Sequence, residues 1–160
     1  MTVPQVLDMT AGSRMMWFNH DDQRAVFLDQ RCESHVLCDG RRVDIRPNVV
    51  GDFRDLPFAD EAFQLVVFDP PHLKRLGPQA YTRHKYGVLL SSWRDDIRRG
   101  FEEAFRVLKP SGTLIFKWNE TQIPTKEVLA LAPCAPLFGH RSGKASRTHW
   151  MTFMKDSHDG

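Results

Sequence analysis

What this sequence lacks removes several classes at once. Its 160 residues include three cysteines, Cys32, Cys38 and Cys134, too few and too oddly numbered for a disulfide scaffold, so a reducing cytoplasm is the expected compartment. No apolar run is long enough for a signal peptide or a membrane span. Neither sign of charge dominates: 22 Lys and Arg against 20 Asp and Glu leave a formal net charge of +2, and bulk charge neither demands nor excludes a nucleic-acid partner. The G-x-G-x-x-G fingerprint is missing, which takes away the main support for a nicotinamide or flavin site. Repeats and linkers are missing too. With 41% hydrophobic and 26% charged residues, a chain of this length is expected to bury one real core. Residues 1–154 are read as a single domain, with a short disordered tail at 155–160.

What is present centres on LVVFDPPH, residues 65–72. Four apolar residues that stop at an acid read as a buried parallel strand whose carboxyl end opens into a site. Pro70 and Pro71 donate no ladder hydrogen bond and stiffen the corner, leaving carbonyls to face a ligand. Asp69, Pro70, Pro71 and His72 are therefore the candidate catalytic residues. Upstream, a strand over residues 3–8 runs into DMTAGSR, where Gly12 can adopt a conformation closed to other residues and let the backbone approach a ligand. Asp8, Ala11 and Gly12 are candidate cofactor residues. A short helix is expected over residues 13–19, with Met15, Met16 and Phe18 in the core. The strand AVFLD then ends at Asp29, a carboxylate placed to accept two hydrogen bonds from a ribose diol.

Residues 30–47 should hold a crossover helix, yet the Asp39-Gly40 pair between short apolar runs reads as a hairpin turn. Cys32, His35 and Cys38 have the look of a metal half-site, but no second cluster supplies the remaining ligands, and no metal is expected. Val49 and Val50 make a short third strand. After the central corner, residues 73–90 interleave cations and aromatics; Lys74, Arg75, Arg83 and Lys85 suit a phosphate backbone and unstacked bases. The clearest helix starts near Ser92, with Asp95 completing a capping box and an apolar face of Trp93, Ile97, Phe101, Ala104, Phe105 and Leu108. A Lys-Pro-Ser-Gly turn and a fifth strand follow, bringing Trp118 and Asn119 to the strand tip beside Lys117. A short helix at residues 125–131 and two last strands close the chain, with Arg141 and Lys144 in a cationic connection.

Several of these segments share a resemblance. DPPH resembles motif IV of the amino-methyltransferases of nucleic acids, in which an aromatic stands where this chain has His72. DMTAGSR resembles motif I of class I S-adenosylmethionine (SAM) methyltransferases, with Ala11-Gly12-Ser13 in place of the fuller glycine form. GDFRDLPFADEAF and FRVLKPSGTLIFKW resemble further segments of that superfamily. The small size, with GSRMMWF, DFRDLPF, FDPPH, KWNET and LFGHRSGK, is similar to compact SAM-dependent methyltransferases of phages and prophages. The resemblance implies an α/β, doubly wound Rossmann-like sheet, mostly parallel, with an antiparallel last strand between its neighbours and shortened helices. It implies S-adenosyl-L-methionine as cofactor, Asp29 on its ribose, and Asp52 and Phe53 near its adenine. The implied substrate is an exocyclic amine of DNA or RNA, adenine N6 or cytosine N4, held by Asp69 and the Pro70 carbonyl. His72 would stack on the flipped base, or alternatively receive a proton. A small-molecule or protein methyltransferase and a SAM-binding module without catalysis remain open readings, as do a homo-oligomer and a host partner. No membrane association is expected.

Overall fold

The computed structural model describes residues 3–72, 89–141 and 146–157. Among them are the strands β1 (Val6–Asp8), β2 (Ala25–Asp29), β3 (Glu33–Val36), β4 (Arg42–Ile45), β5 (Val49–Val50) and β6 (Phe63–Phe68). The helix α1 (Trp93–Val107), β7 (Leu108–Asn119), the helix α2 (Thr125–Leu129), β8 (Phe138–Arg141) and β9 (Thr148–Met154) complete the order. Seven strands form one sheet in the order β5-β2-β1-β6-β7-β9-β8. All pairings from β5 to β7 are parallel, while β9 runs antiparallel to both β7 and β8. This is the expected doubly wound sheet with its reversed last strand.

The core follows from the apolar runs. Strand residues Leu7, Leu28, Val66, Phe68, Leu114 and Phe116 pack with Ile97, Phe101 and Ala104 of α1. Phe101 sits against Phe116 at 4.8 Å between ring centroids and meets Phe68 edge-on at 5.6 Å. Close approach of α1 requires Gly100: a Cβ there would run into the Phe68 ring and lie 2.9 Å from the Phe53 ring. The helix has Asp95 and Asp96 in its first turn, where acids suit the helix dipole. Ser92 caps it differently from the expected box. Its hydroxyl donates to the Asp96 carboxylate at 2.8 Å and accepts no backbone N–H.

Three local expectations are corrected, and the hairpin read in residues 30–47 is present. Residues 13–19 form turns, not a helix, because Gly12 and Arg14 take φ of 52° and 59°, left-handed values that stop a right-handed helix. Arg14 is held there by carbonyls of His20 and Arg46 and lies 4.0 Å over the Phe27 ring. Met15 and Phe18 are consequently exposed, and Trp17 is the residue that packs, edge-on to Phe27 at 4.8 Å. The crossover of residues 30–47 is the hairpin β3-β4, with Gly40 at φ 83° and its own small core of Leu37, Val43 and Ile45. The Lys-Pro-Ser-Gly segment is not a separate turn: α1 passes straight into β7, and the irregularity appears as Ser111 at φ 61° and a register shift against β6. Lys155, assigned to the tail, is tied down. Its backbone exchanges hydrogen bonds with Ser111 and Gly112, and its ammonium reaches the Leu108 carbonyl at 2.7 Å.

Among the described residues no helix is long and apolar enough to cross a membrane. Cys32 and Cys38 are exposed, and His35 pairs with Glu33 across 3.1 Å.

Candidate active site

Strand order reverses between β1 and β6, and open α/β sheets bind ligands outside the carboxyl ends of the strands at such a point. The two strands are tied together beyond their ladder. Met9 N–H donates to the Val67 carbonyl at 3.0 Å, and Asp69 N–H donates to the Thr10 hydroxyl at 2.7 Å. The loop after β1 is also fastened to β2, through Ala11 N–H to the Leu28 carbonyl and Gly12 N–H to the Asp29 carboxylate, both at 2.9 Å. Asp8 lies beneath this loop, 1% exposed. It accepts from the Trp17 indole at 2.7 Å and from Thr10 N–H at 3.2 Å. Burial pushes its carboxyl up to about 7, and the charges of Asp69 and Asp29 push the same way against those two hydrogen bonds.

Above the loop is a cleft of about 800 Å³, counted to its open mouth. Its lining joins the loop residues Thr10 to Ser13 with Asp29, Gln30 and Arg31 after β2, Phe53, the corner residues Asp69 and Pro71, and Lys117 of β7. Asp29 is mostly buried and accepts from Arg31 as well as Gly12, with Arg31 N–H at 2.9 Å and its Nε at 3.0 Å. Phe53 is set by its contact with Phe68, centroids 5.3 Å apart, under α1. Asp52 does not line the cleft. Its carboxylate is taken by Arg54 at 2.6 Å, which continues to Asp96 of α1 at 2.9 Å, and this pairing holds Asp52 below the usual carboxylate range.

A second cleft, of about 440 Å³, is lined by Asp69, His72, Lys117, Asn119 and Thr148. Asp69 and Lys117 belong to both. The Lys117 ammonium sits 3.3 Å from Asp69 Oδ2 and 5.3 Å from the centre of the Trp150 ring on β9. The Asp69 side chain is only 8% exposed. Burial pushes the His72 imidazole down to about 4, and the Lys117 charge adds to that, against a hydrogen bond from the ring to the Pro70 carbonyl. That shift favours the neutral imidazole at pH 7, a weaker base than an ordinary histidine.

No family model and no curated protein matches the sequence. Solved structures do match in shape. A Pyrococcus horikoshii OT3 protein is 18% identical over 94% of this chain and 81% of its own, with a TM-score of 0.61. A SAM-dependent methyltransferase from Methanosarcina mazei is 12% identical over 95% and 92%, with a TM-score of 0.55. The 1,6-didemethyltoxoflavin-N1-methyltransferase of Burkholderia thailandensis, solved with 1,6-didemethyltoxoflavin and S-adenosylhomocysteine, is 14% identical over 95% and 71%, with a TM-score of 0.55. This chain has the class I methyltransferase fold.

On that fold the structure brings Ala11, Gly12, Asp29, Phe53 and Pro71 to the first cleft, Asp69 to its junction with the second, and His72 and Asn119 to the second. Pro70 is buried behind the corner. Asp8 and Asp52 stay outside the cleft walls. Trp118, a substrate candidate at the strand tip with core packing as its other reading, packs: side chains alternate along β7, so Trp118 points into the core at 0% exposure while Lys117 and Asn119 face the clefts. Its indole donates to the Ile123 carbonyl at 3.0 Å, and its ring meets His72 edge-on at 6.1 Å. Lys74, Arg75, Arg83, Lys85 and Lys144 lie outside the described residues, as does the side chain of Arg141. Sequence reasoning missed Thr10, Arg31 and Thr148, and placed Lys117 at the strand tip with Trp118 and Asn119 without telling which of them faces the site. The alternation of KWN at a strand tip was the signal that could have chosen Lys117 over Trp118.

The first cleft suits S-adenosyl-L-methionine by its donor set. A strand-end carboxylate fits a ribose diol, an aromatic ring in the lining fits an adenine, and a loop that turns at a left-handed glycine fits an amino-acid moiety.

Proposed function

We propose that this protein is a SAM-dependent methyltransferase acting on an exocyclic amine of a nucleic-acid base, adenine N6 or cytosine N4. The observation that carries the reading is one carboxylate, Asp69, at the junction of two clefts on the switch point of a class I methyltransferase sheet. S-adenosyl-L-methionine, when bound, supplies an electrophilic methyl group on a sulfonium. Asp29, Phe53 and the loop at residues 10–13 would hold it. The work of the chain's own residues is positioning.

An exocyclic amine is a poor nucleophile because its lone pair is delocalised into the ring. Asp69 accepts from one amine hydrogen; by the resemblance to motif IV the Pro70 carbonyl would take the other, which requires the buried corner to open to the substrate. Those bonds favour a pyramidal nitrogen whose lone pair points out of the ring. Neutral His72 offers a ring for the base to stack on, a smaller surface than the Tyr, Phe or Trp of motif IV. The proton lost by the methylated amine leaves through the Asp69 carboxylate that accepts it, or directly to solvent. The three free cysteines suit a reducing cytoplasm.

A small-molecule acceptor is the second reading. The methyltransferase of Burkholderia thailandensis acts on such a substrate, and the second cleft of this chain is open to solvent beside Asp69.

The test is transfer from radiolabelled SAM into duplex DNA, single-stranded DNA, RNA and lysate protein, with Asp69→Ala beside the native chain and nucleoside mass spectrometry on any labelled polymer. Label in a nucleic acid that falls at least a hundredfold in the variant is the expected result. Protein that binds SAM yet labels no nucleic acid would refute the nucleic-acid reading, leaving the small-molecule enzyme or a SAM-binding module.

A further inference from the structure

The pair Asp69–Lys117 says more than a single carboxylate could. We propose that these two heads form a two-point clamp for a neutral amidine edge, the N=C–NH2 of adenine or cytosine, Asp69 accepting from the amine and Lys117 donating to the adjacent ring nitrogen. This rests on the nucleic-acid reading above and specifies which atoms of the base are held.

The two heads are 3.3 Å apart and both line the second cleft, so an acceptor and a donor stand side by side. That is the complement an Asn or Gln amide offers adenine in a DNA groove. An ammonium carries three N–H donors around one rotatable head, and can bind a carboxylate and a substrate atom together. Lys117 is held from behind by its β9 partner Trp150. Asn119, the other polar side chain of that strand tip, is engaged locally: its amide donates to the Thr148 hydroxyl at 3.1 Å and its oxygen accepts from Thr121 N–H at 3.0 Å. Asp69 and Lys117 are the two charged heads in that cleft lining and supply its acceptor and donor side by side.

Charge points the same way. Asp69 and Lys117 compensate one another, and His72 stays neutral at pH 7. An alkylammonium or guanidinium acceptor would bring a cation against the Lys117 ammonium and offer it no lone pair. A conjugated amine brings no charge and supplies the lone pair two bonds from the nitrogen. Donation to the ring nitrogen draws the amine lone pair further into the ring, so Lys117 holds the ground state and its loss should appear in KM more than in kcat.

The experiment is a protein–substrate cycle. Single-stranded oligonucleotides carry adenine or 1-deazaadenine, cytosine or 3-deazacytosine, at the labelled position. The native chain, Lys117→Met and Lys117→Arg are compared in kcat and KM with SAM, and in equilibrium affinity for each oligonucleotide with S-adenosylhomocysteine present. In the native chain, removing the ring nitrogen should raise KM and weaken binding roughly 10- to 100-fold, the size of one hydrogen bond from a charged group. Lys117→Met should show that loss on the natural base and no further loss on its deaza analogue, with Lys117→Arg in between. Equal KM for natural and deaza base in the native chain, or discrimination that survives Lys117→Met in folded protein, would overturn the clamp while leaving base methylation standing. Transfer only to protein carboxamides, or to no base at all by protein that binds SAM, would overturn both.

Discussion

Asp69, His72 and Lys117 divide the labour of the second cleft by their charge states. His72 has its pKa pushed down to about 4, so it carries no charge between about pH 5 and 8, where an ordinary histidine titrates. His72→Phe should then keep kcat within about tenfold and leave the pH–rate profile unchanged. A loss beyond the 10²-fold expected of a removed acid or base would instead assign proton transfer to it. Asp8 shows the opposite shift. Its carboxyl is raised from 3.8 to about 7 by burial, so the folded state keeps a proton that the unfolded chain releases. From that group, stability is full below about pH 4, falls as pH rises toward 7, and is level above. Asp8→Asn removes the ionisation and keeps an oxygen for the Trp17 indole. Its Tm by scanning calorimetry should exceed that of the native chain at pH 8, by about 2–4 °C per kcal/mol, and the gain should vanish near pH 4. An equal gain at both pH values would rule the buried ionisation out as its cause.

At the scale of elements, the site depends on segments that replace helices. The turn of residues 13–19 and the hairpin β3-β4 stand where a doubly wound fold has room for helices, and both expose apolar side chains, Met15, Phe18 and Val36. What holds the loop after β1 in place is the set of bonds to Asp8, Asp29 and β6, not a packed helix. On the other side, α1 positions Phe53 indirectly, by pressing through Gly100 against Phe68 and Phe53. Gly100→Ala should force that helix outward at a cost of about 1–3 kcal/mol, the usual range for an overpacked core. It should also weaken SAM binding in titration calorimetry, because Phe53 must move with it. Native-like melting and affinity in that variant would show that the helix tolerates the extra methyl without disturbing Phe53.

At the scale of the whole molecule, the sheet order alone creates the crevice, and its legibility from the sequence was uneven for physical reasons. The apolar runs that end in Asp8, Asp29 and Asp69, and the β-branched pair Val49 and Val50, announced the parallel strands because period and composition report burial directly. The Asp39-Gly40 hairpin was legible because a two-residue turn has its own chemistry. The run of residues 13–19 was misread, since a local apolar pattern cannot reveal that Arg14 will be clamped by carbonyls six and thirty-two residues away. Asp52, expected near the adenine, pairs with Arg54, a partner two residues away whose choice depends on how the loop folds. The sequence by itself determined the strands, the acids at their tips, the glycine turn and the stiff Asp-Pro-Pro corner, all properties of neighbouring residues. Only the tertiary structure decided that Lys117 rather than Trp118 faces Asp69, that Asp8 lies under the loop, and that one carboxylate serves two clefts. Those facts depend on which strand lies beside which, and on the side each residue presents once the sheet has closed its order.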